Sequence, residues 1–214
     1  GGFDHPTLHP SDADGESMFI VVEGIDGSGK TTLIEEISKQ LAADGHDSFI
    51  TSELGKDMPG SQLWRDELMK SAGDARAEYD VIRTVRWDRD THILKPKLQA
   101  GRTVLMDRFI LSTIGYQGQF TSPHHPTVRE IIDDHRMFGW ETPDLTILLD
   151  CDPGTAHERS VERGKVDAFD SRGLDFFKRA RELMSSFIFT MEGKSLTNGV
   201  LINAERPADV VAAL

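Results

Sequence analysis

The sequence predicts an α/β fold, a parallel sheet with helices on both faces in three layers. Three observations carry that prediction. Short β-branched apolar runs alternate with stretches of helical spacing, the pattern of right-handed βαβ units. A glycine-rich segment joins the first such run directly to the first helical stretch. The chain, 214 residues long and 38% hydrophobic, is sized for one ordinary domain.

In chain order, Met18–Glu23 reads as the first strand. Leu33, Ile34, Ile37 and Leu41 then share one helical face, with Gly45 as the stop. Ser48–Thr51 is the second strand. A long helical stretch spans Asp74–Ala100, with Val81, Ile82, Val85 and Ile93 spaced for a face. Thr103–Asp107, Leu145–Asp150 and Val200–Asn203 complete the strands, while Phe109–Phe120, Thr127–Phe138, Gly154–Arg163 and Leu174–Phe189 complete the helices. No internal repeat or break in composition marks a second domain.

Composition excludes several classes. With Cys151 as its only cysteine the chain has no disulfide framework, and its size lets it bury roughly 70% of its unfolded surface without one. A lone thiol suits a reducing compartment, and the expectation is a cytoplasmic protein without a membrane segment, since runs such as Met18–Val22 are far shorter than a span of about 20 residues. The 36 acidic against 24 basic residues give a net charge of −12, which argues against broad binding to nucleic acid or anionic membranes. Residues 1–17 hold acids, no Lys or Arg and many turn formers, and read as a disordered tail ahead of a domain over 18–214. His5, His9, His124 and His125 lie in tail or loop sequence and read as solvent-facing rather than metal-binding.

The first strand runs into Gly24-Ile25-Asp26-Gly27-Ser28-Gly29-Lys30-Thr31, which fits G-x-x-x-x-G-K-[ST] at every fixed position. In such a loop Gly24, Gly27, Ser28 and Gly29 turn backbone N–H groups toward phosphate oxygens. Lys30 reaches the outer phosphates, the Thr31 hydroxyl takes a place on Mg²⁺, and the N-terminus of the following helix adds partial positive charge. The spacing is not the G-x-G-x-x-G of dinucleotide folds. A phosphate cradle does not by itself separate GTPase, motor and small-molecule kinase. The absence of an Asn-Lys-x-Asp pattern weakens the first, and the short chain the second. Asp107, at the carboxyl end of an apolar strand, stands where a carboxylate can hold Mg²⁺ or its waters, and Arg108 beside it can grip a phosphate in a bidentate fork.

These residues together resemble the thymidylate kinase family. Glu23-Gly24-Ile25-Asp26-Gly27-Ser28-Gly29-Lys30-Thr31-Thr32 is similar to its phosphate loop. Asp107-Arg108-Phe109-x-x-Ser112-x-x-Gly115-Tyr116-Gln117 resembles its D-R-[YF]-x-x-S-x-x-A-Y-Q signature, and Pro143–Asp150 with Pro153, Arg159 and Arg163 resembles its late strand and lid. The resemblance implies a P-loop kinase fold with a short lid over about 159–172, and transfer of the ATP γ-phosphoryl group to a deoxynucleoside 5′-monophosphate, dTMP first. By motif match, Thr32 and Arg159 join the ATP side. Asp26 contacts the sugar 3′-hydroxyl, Arg108 the acceptor phosphate and Arg89 the base. Tyr116 packs near C2′, and Ser112 and Gln117 lie along the nucleoside pocket. Arg163 neutralises charge on the transferred group. Two-fold dimers are common in that family and are carried over as an expectation.

The chain departs from the family pattern in four places. Ser52 stands where an acceptor-phosphate arginine is expected, with Lys56 or Arg65 as substitutes. Val85 stands at the presumed base-stacking aromatic, leaving Trp87 or Phe109 to compensate. Asp167-Ala168-Phe169-Asp170 replaces the lid's D-R-[IF]-E, and Met184 replaces a tyrosine. Two other readings therefore stay open: a kinase for another or 5-modified deoxynucleotide, free or within DNA, and a nucleotide-binding regulatory module without transfer.

Overall fold

β1 (Phe19–Glu23) is buried along its whole length, as a strand covered on both faces must be. β3 (Thr103–Asp107) pairs on one side of it and β4 (Leu145–Asp150) on the other, with Val22 opposite Asp107 and Ile147. β2 (Ser48–Ser52) and β5 (Gly199–Asn203) form the edges, so the order is β2-β3-β1-β4-β5 and every pairing is parallel. The computed structural model describes residues 17–162 and 172–205. Nearly all of the expected tail lies outside those residues, as do Arg163, Lys165, Asp167, Ala168, Phe169 and Asp170 of the expected lid.

The predicted helices form, with four differences. α1 (Lys30–Ala43) follows the phosphate loop as expected. α2 (Ser61–Lys70) is not signalled by periodicity, because only Ser61 and Leu68 of this polar segment are buried. The single stretch expected over Asp74–Ala100 divides into α3 (Ala75–Arg89), a π-helical turn over Asp90–Leu94, and α4 (Lys95–Gln99). Pro96 has no N–H for the carbonyl four residues back, and the helix widens just ahead of it. Within the turn Asp90 points inward, accepting from the Glu141 N–H at 2.8 Å and pairing with Lys95 at 2.6 Å.

α5 (Ile110–Tyr116) is shorter than predicted and wholly buried. α6 (Val128–Phe138) is capped by Thr127 and ends at Gly139. α7 (Pro153–Glu162), α8 (Leu174–Phe187) and α9 (Met191–Thr197) follow, the last too short to show a periodic signal. The core spans both faces of the sheet: Phe19, Val104, Leu105 and Leu148 from the strands meet Leu33, Ile110, Ile131 and Phe177 from the helices. The carboxyl ends of β1 and β3 therefore open onto one crevice, the usual ligand position in such sheets.

Candidate active site

The phosphate loop turns out of β1 with Gly24, Gly27 and Gly29 all at positive φ. Glycine is required most firmly at position 27: at φ +81°, an added Cβ would lie 1.9 Å from the Ala156 carbonyl oxygen on α7. Gly29 directly precedes α1, whose first residue is Lys30. The Lys30 amine donates to the carbonyls of Gly24 and Ile25, both at 3.0 Å. Burial and the neighbouring Arg108 cation lower its pKa, against the opposing pull of Asp107, Asp26 and Glu23. Thr31 and Thr32 are exposed on the first turn of α1, and the buried Ser28 hydroxyl has no protein partner.

Beside the loop lies a cavity of about 320 Å³. The expected residues Asp26, Asp107, Arg108, Ser112, Tyr116 and Gln117 all line it. Arg108 lines it beside the phosphate loop: the guanidinium donates to Asp26 at 2.6 Å, Ser112 Oγ at 3.0 Å and the Gly24 carbonyl at 3.2 Å, and stands 5.1 Å above the Tyr116 ring. Tyr116 donates to the other Asp26 oxygen at 3.2 Å. Burial alone would raise the Asp26 pKa, but Arg108 and Lys30 outweigh it and hold the carboxyl at about 2. The carboxylates around Arg108 likewise outweigh its burial and keep it charged.

Two residues of α3 singled out in the sequence are not among those lining the cavity. Arg89 does not line the cavity. Its guanidinium is buried and engaged by the Thr51–Asp57 segment, through Thr51, the carbonyls of Glu53 and Gly55, and Asp57. Val85 is fully buried and also absent from the lining, where Ile82 stands instead. Trp87 is half-exposed and does not line the cavity, while Phe109 does.

Arg86 is the residue that sequence reasoning missed. It is 1% exposed and donates to both Glu53 oxygens (3.1 and 2.7 Å) and to Thr113 Oγ1 (2.7 Å), and both partners line the cavity. Its Nη1 is buried without a partner. The available signal was Glu53 with Asp57, two acids in one short segment after β2. Arg65 lines the cavity next to Ser52, with its guanidinium on the Leu54 carbonyl, whereas Lys56 is exposed. One departure from the family pattern, Met184, packs against Gly115: a Cβ there would come within 2.8 Å of Met184 Cγ, so the glycine makes room for the methionine.

Arg159 donates to the Ala204 carbonyl at 3.0 Å, at the end of β5. Asp107 Oδ1 is buried without a hydrogen-bond partner, and the Asp107 charge acts on Lys30, the first residue of α1. Among the described residues no cluster of three or more His, Cys, Asp or Glu forms a protein-only metal cage. A hydroxyl and one orphaned carboxylate oxygen instead suit a hard cation that keeps most of its shell as phosphate and water. Among the described residues no helix is long and apolar enough to cross a membrane.

Comparison with known proteins gives a consistent result. The family model described as thymidylate kinase matches residues 22–213. Thymidylate kinase of Deinococcus radiodurans is 30% identical over 200 residues, covering 92% of this chain and 94% of that one. The enzyme of Maridesulfovibrio salexigens is 32% identical with 91% of each chain covered, and that of Desulfovibrio desulfuricans 38% identical over 77% of this chain and 79% of its own.

Proposed function

The chain belongs to the thymidylate kinase family, and from that premise we propose that it transfers the γ-phosphoryl group of ATP to the 5′-phosphate of dTMP. An oxygen of the acceptor phosphate forms a bond to the γ-phosphorus. The bond from that phosphorus to the β–γ bridging oxygen breaks, and ADP leaves with its electron pair. One observation carries the reading: Lys30 and Arg108 donate to the same carbonyl oxygen of Gly24, at 3.0 and 3.2 Å. The cation suited to the donor's outer phosphates and the cation suited to the acceptor phosphate thus meet at one point, which is what an in-line transfer needs.

In this reading the backbone of Gly24, Gly27, Ser28 and Gly29 cradles the ATP phosphates, with Thr32 and Arg159 on the same side. Thr31 and Asp107 would hold Mg²⁺, which supplies charge neutralisation when bound. Arg108 exchanges Asp26 for the acceptor phosphate, freeing Asp26 for the sugar 3′-hydroxyl. Ser112, Tyr116 and Gln117 flank the nucleoside. One domain over 18–214 does this work, in the cytoplasm where its donor is abundant, and as a two-fold dimer that sedimentation would detect.

The test is a panel of deoxy- and ribonucleoside monophosphates with Mg-ATP, read as ADP release. Turnover should depend on dTMP above all others and vanish in Lys30→Ala. Absence of acceptor-dependent turnover across the whole panel would refute the proposal. The names of the relatives do not favour a regulatory module or a kinase for a different nucleotide.

A further inference from the structure

α5 begins without a cap from its own N-terminal residue: Phe109 precedes it and its side chain accepts from none of the first N–H groups. The missing acceptor comes from β1. Glu23, fully buried, takes the Phe109 N–H at 2.8 Å and the Ser112 N–H at 3.2 Å on one carboxyl oxygen, and the Ser112 hydroxyl at 2.5 Å on the other. Ser112 Oγ in turn accepts from Arg108 at 3.0 Å. Between the strand and this capped helix, Arg108 itself adopts φ 70°, a left-handed conformation rare outside glycine, with its N–H on the Val22 carbonyl at 3.0 Å. A non-glycine residue persists there only when its surroundings over-determine it.

We propose that Glu23 is a positioning residue for phosphoryl transfer: by capping α5 across the sheet it holds the Arg108 backbone left-handed, and so keeps that guanidinium in the wall of the acceptor cavity. The proposal rests on the assignment of Arg108 to the acceptor phosphate. It adds a fixed dependence of the acceptor side on a residue that touches neither substrate. The carboxylate has the right chemistry, because it offers the several lone pairs that two N–H groups and a hydroxyl need, and sits where a cap carries no cost of exposure.

The experiment uses Glu23→Gln, which has one acceptor oxygen in place of two, and Glu23→Asp, which keeps the charge but shortens the reach. For each folded variant the KM values for dTMP and ATP, kcat, and dTMP binding by calorimetry are measured, with unfolding curves as control. Expected is a rise of about tenfold or more in the KM and Kd for dTMP, with the KM for ATP within about twofold, since one charge-assisted bond is worth roughly that factor. In the double variant Glu23→Gln/Arg108→Lys, the loss should fall well short of the product of the single losses. A crystal structure of either variant should show Arg108 leaving positive φ. Unchanged dTMP parameters, parallel loss of both substrates, or independent losses in the double variant would each overturn the proposal. If wild-type protein fails to turn over dTMP, the assignment of function fails instead, and the Arg108 backbone in the variant structures still decides the capping role.

Discussion

Arg108 and Asp26, 82 residues apart in sequence, meet at 2.6 Å over the phosphate loop. The acceptor-side cation is thus stored on the loop's own carboxylate, and Tyr116 holds the other oxygen of the same group. An incoming phosphate has to take Arg108 from Asp26, and the released carboxylate becomes free to accept from a sugar hydroxyl.

Replacing Asp26 should therefore cost more than one contact. Asp26→Asn is expected to lower kcat/KM for dTMP by about 10–100-fold, the range for losing a charge-assisted hydrogen bond. Its acid stability should change as well. The folded pKa of about 2 lies below the ordinary 3.8, so the ionised carboxyl favours the fold above pH 3.8, and that contribution disappears as pH falls toward 2. The variant's melting temperature should vary less across that window than the wild type's. The effect is modest, because 42% of the side chain is exposed.

Gly27→Ala and Gly29→Ala separate collision from backbone strain. Both positions have positive φ, +81° and +99°, but only Gly27 faces a wall, the Ala156 carbonyl, whereas a Cβ at Gly29 meets nothing within 4 Å. Gly29→Ala should cost about 1–2 kcal/mol in unfolding free energy. Gly27→Ala should cost more and weaken ATP binding at least tenfold, as read by calorimetry with a non-hydrolysable analogue.

Arg86 and Glu53 form a buried pair, with side chains 1% and 11% exposed. Arg86→Met leaves the carboxylate without its partner, and urea unfolding should show a loss of about 3–5 kcal/mol. Adding Glu53→Leu should recover most of that stability.

His135 gives the stability curve an acid limb at higher pH. Burial first, then Arg86 and Arg136, push its pKa from 6.5 down to about 4. The folded state holds the ring neutral, so stability is complete above pH 6.5 and falls as pH drops toward 4. His135→Phe, which keeps an aromatic ring beside Phe109 and Trp140, should flatten that limb in thermal melts recorded across the window.

The strands and the loop were legible because each is a local statement: β-branched runs bounded by polar residues, and glycines at fixed spacing before Lys30. Asp107, Arg108, Ser112, Tyr116 and Gln117 were legible for the same reason, since one strand end and one short helix carry them all. α3 was not. Arg86 and Arg89 lie one turn apart on the same broad face, both buried, and nothing local says which will reach the Glu53 carboxylate and which Thr51 and Asp57. That choice is made by a loop more than thirty residues upstream, whose own path depends on tertiary contacts. The cap on α5 was hidden similarly, because its acceptor, Glu23, comes from another strand 86 residues away from Phe109.

The widened turn at Asp90–Leu94 makes the cavity depend on chain length at a place where none of its lining residues lies. Upstream of it, α3 presents Ile82 and Arg86; downstream, α4 leads into β3. Removing one residue there would let the turn close as an ordinary α-helical turn with both halves in phase, whereas inserting one would rotate one half against the other by about 100° and shift it by about 1.5 Å, swinging both arginines out of phase with their partners. A scan of single-residue length changes through the turn would find deletion better tolerated than insertion.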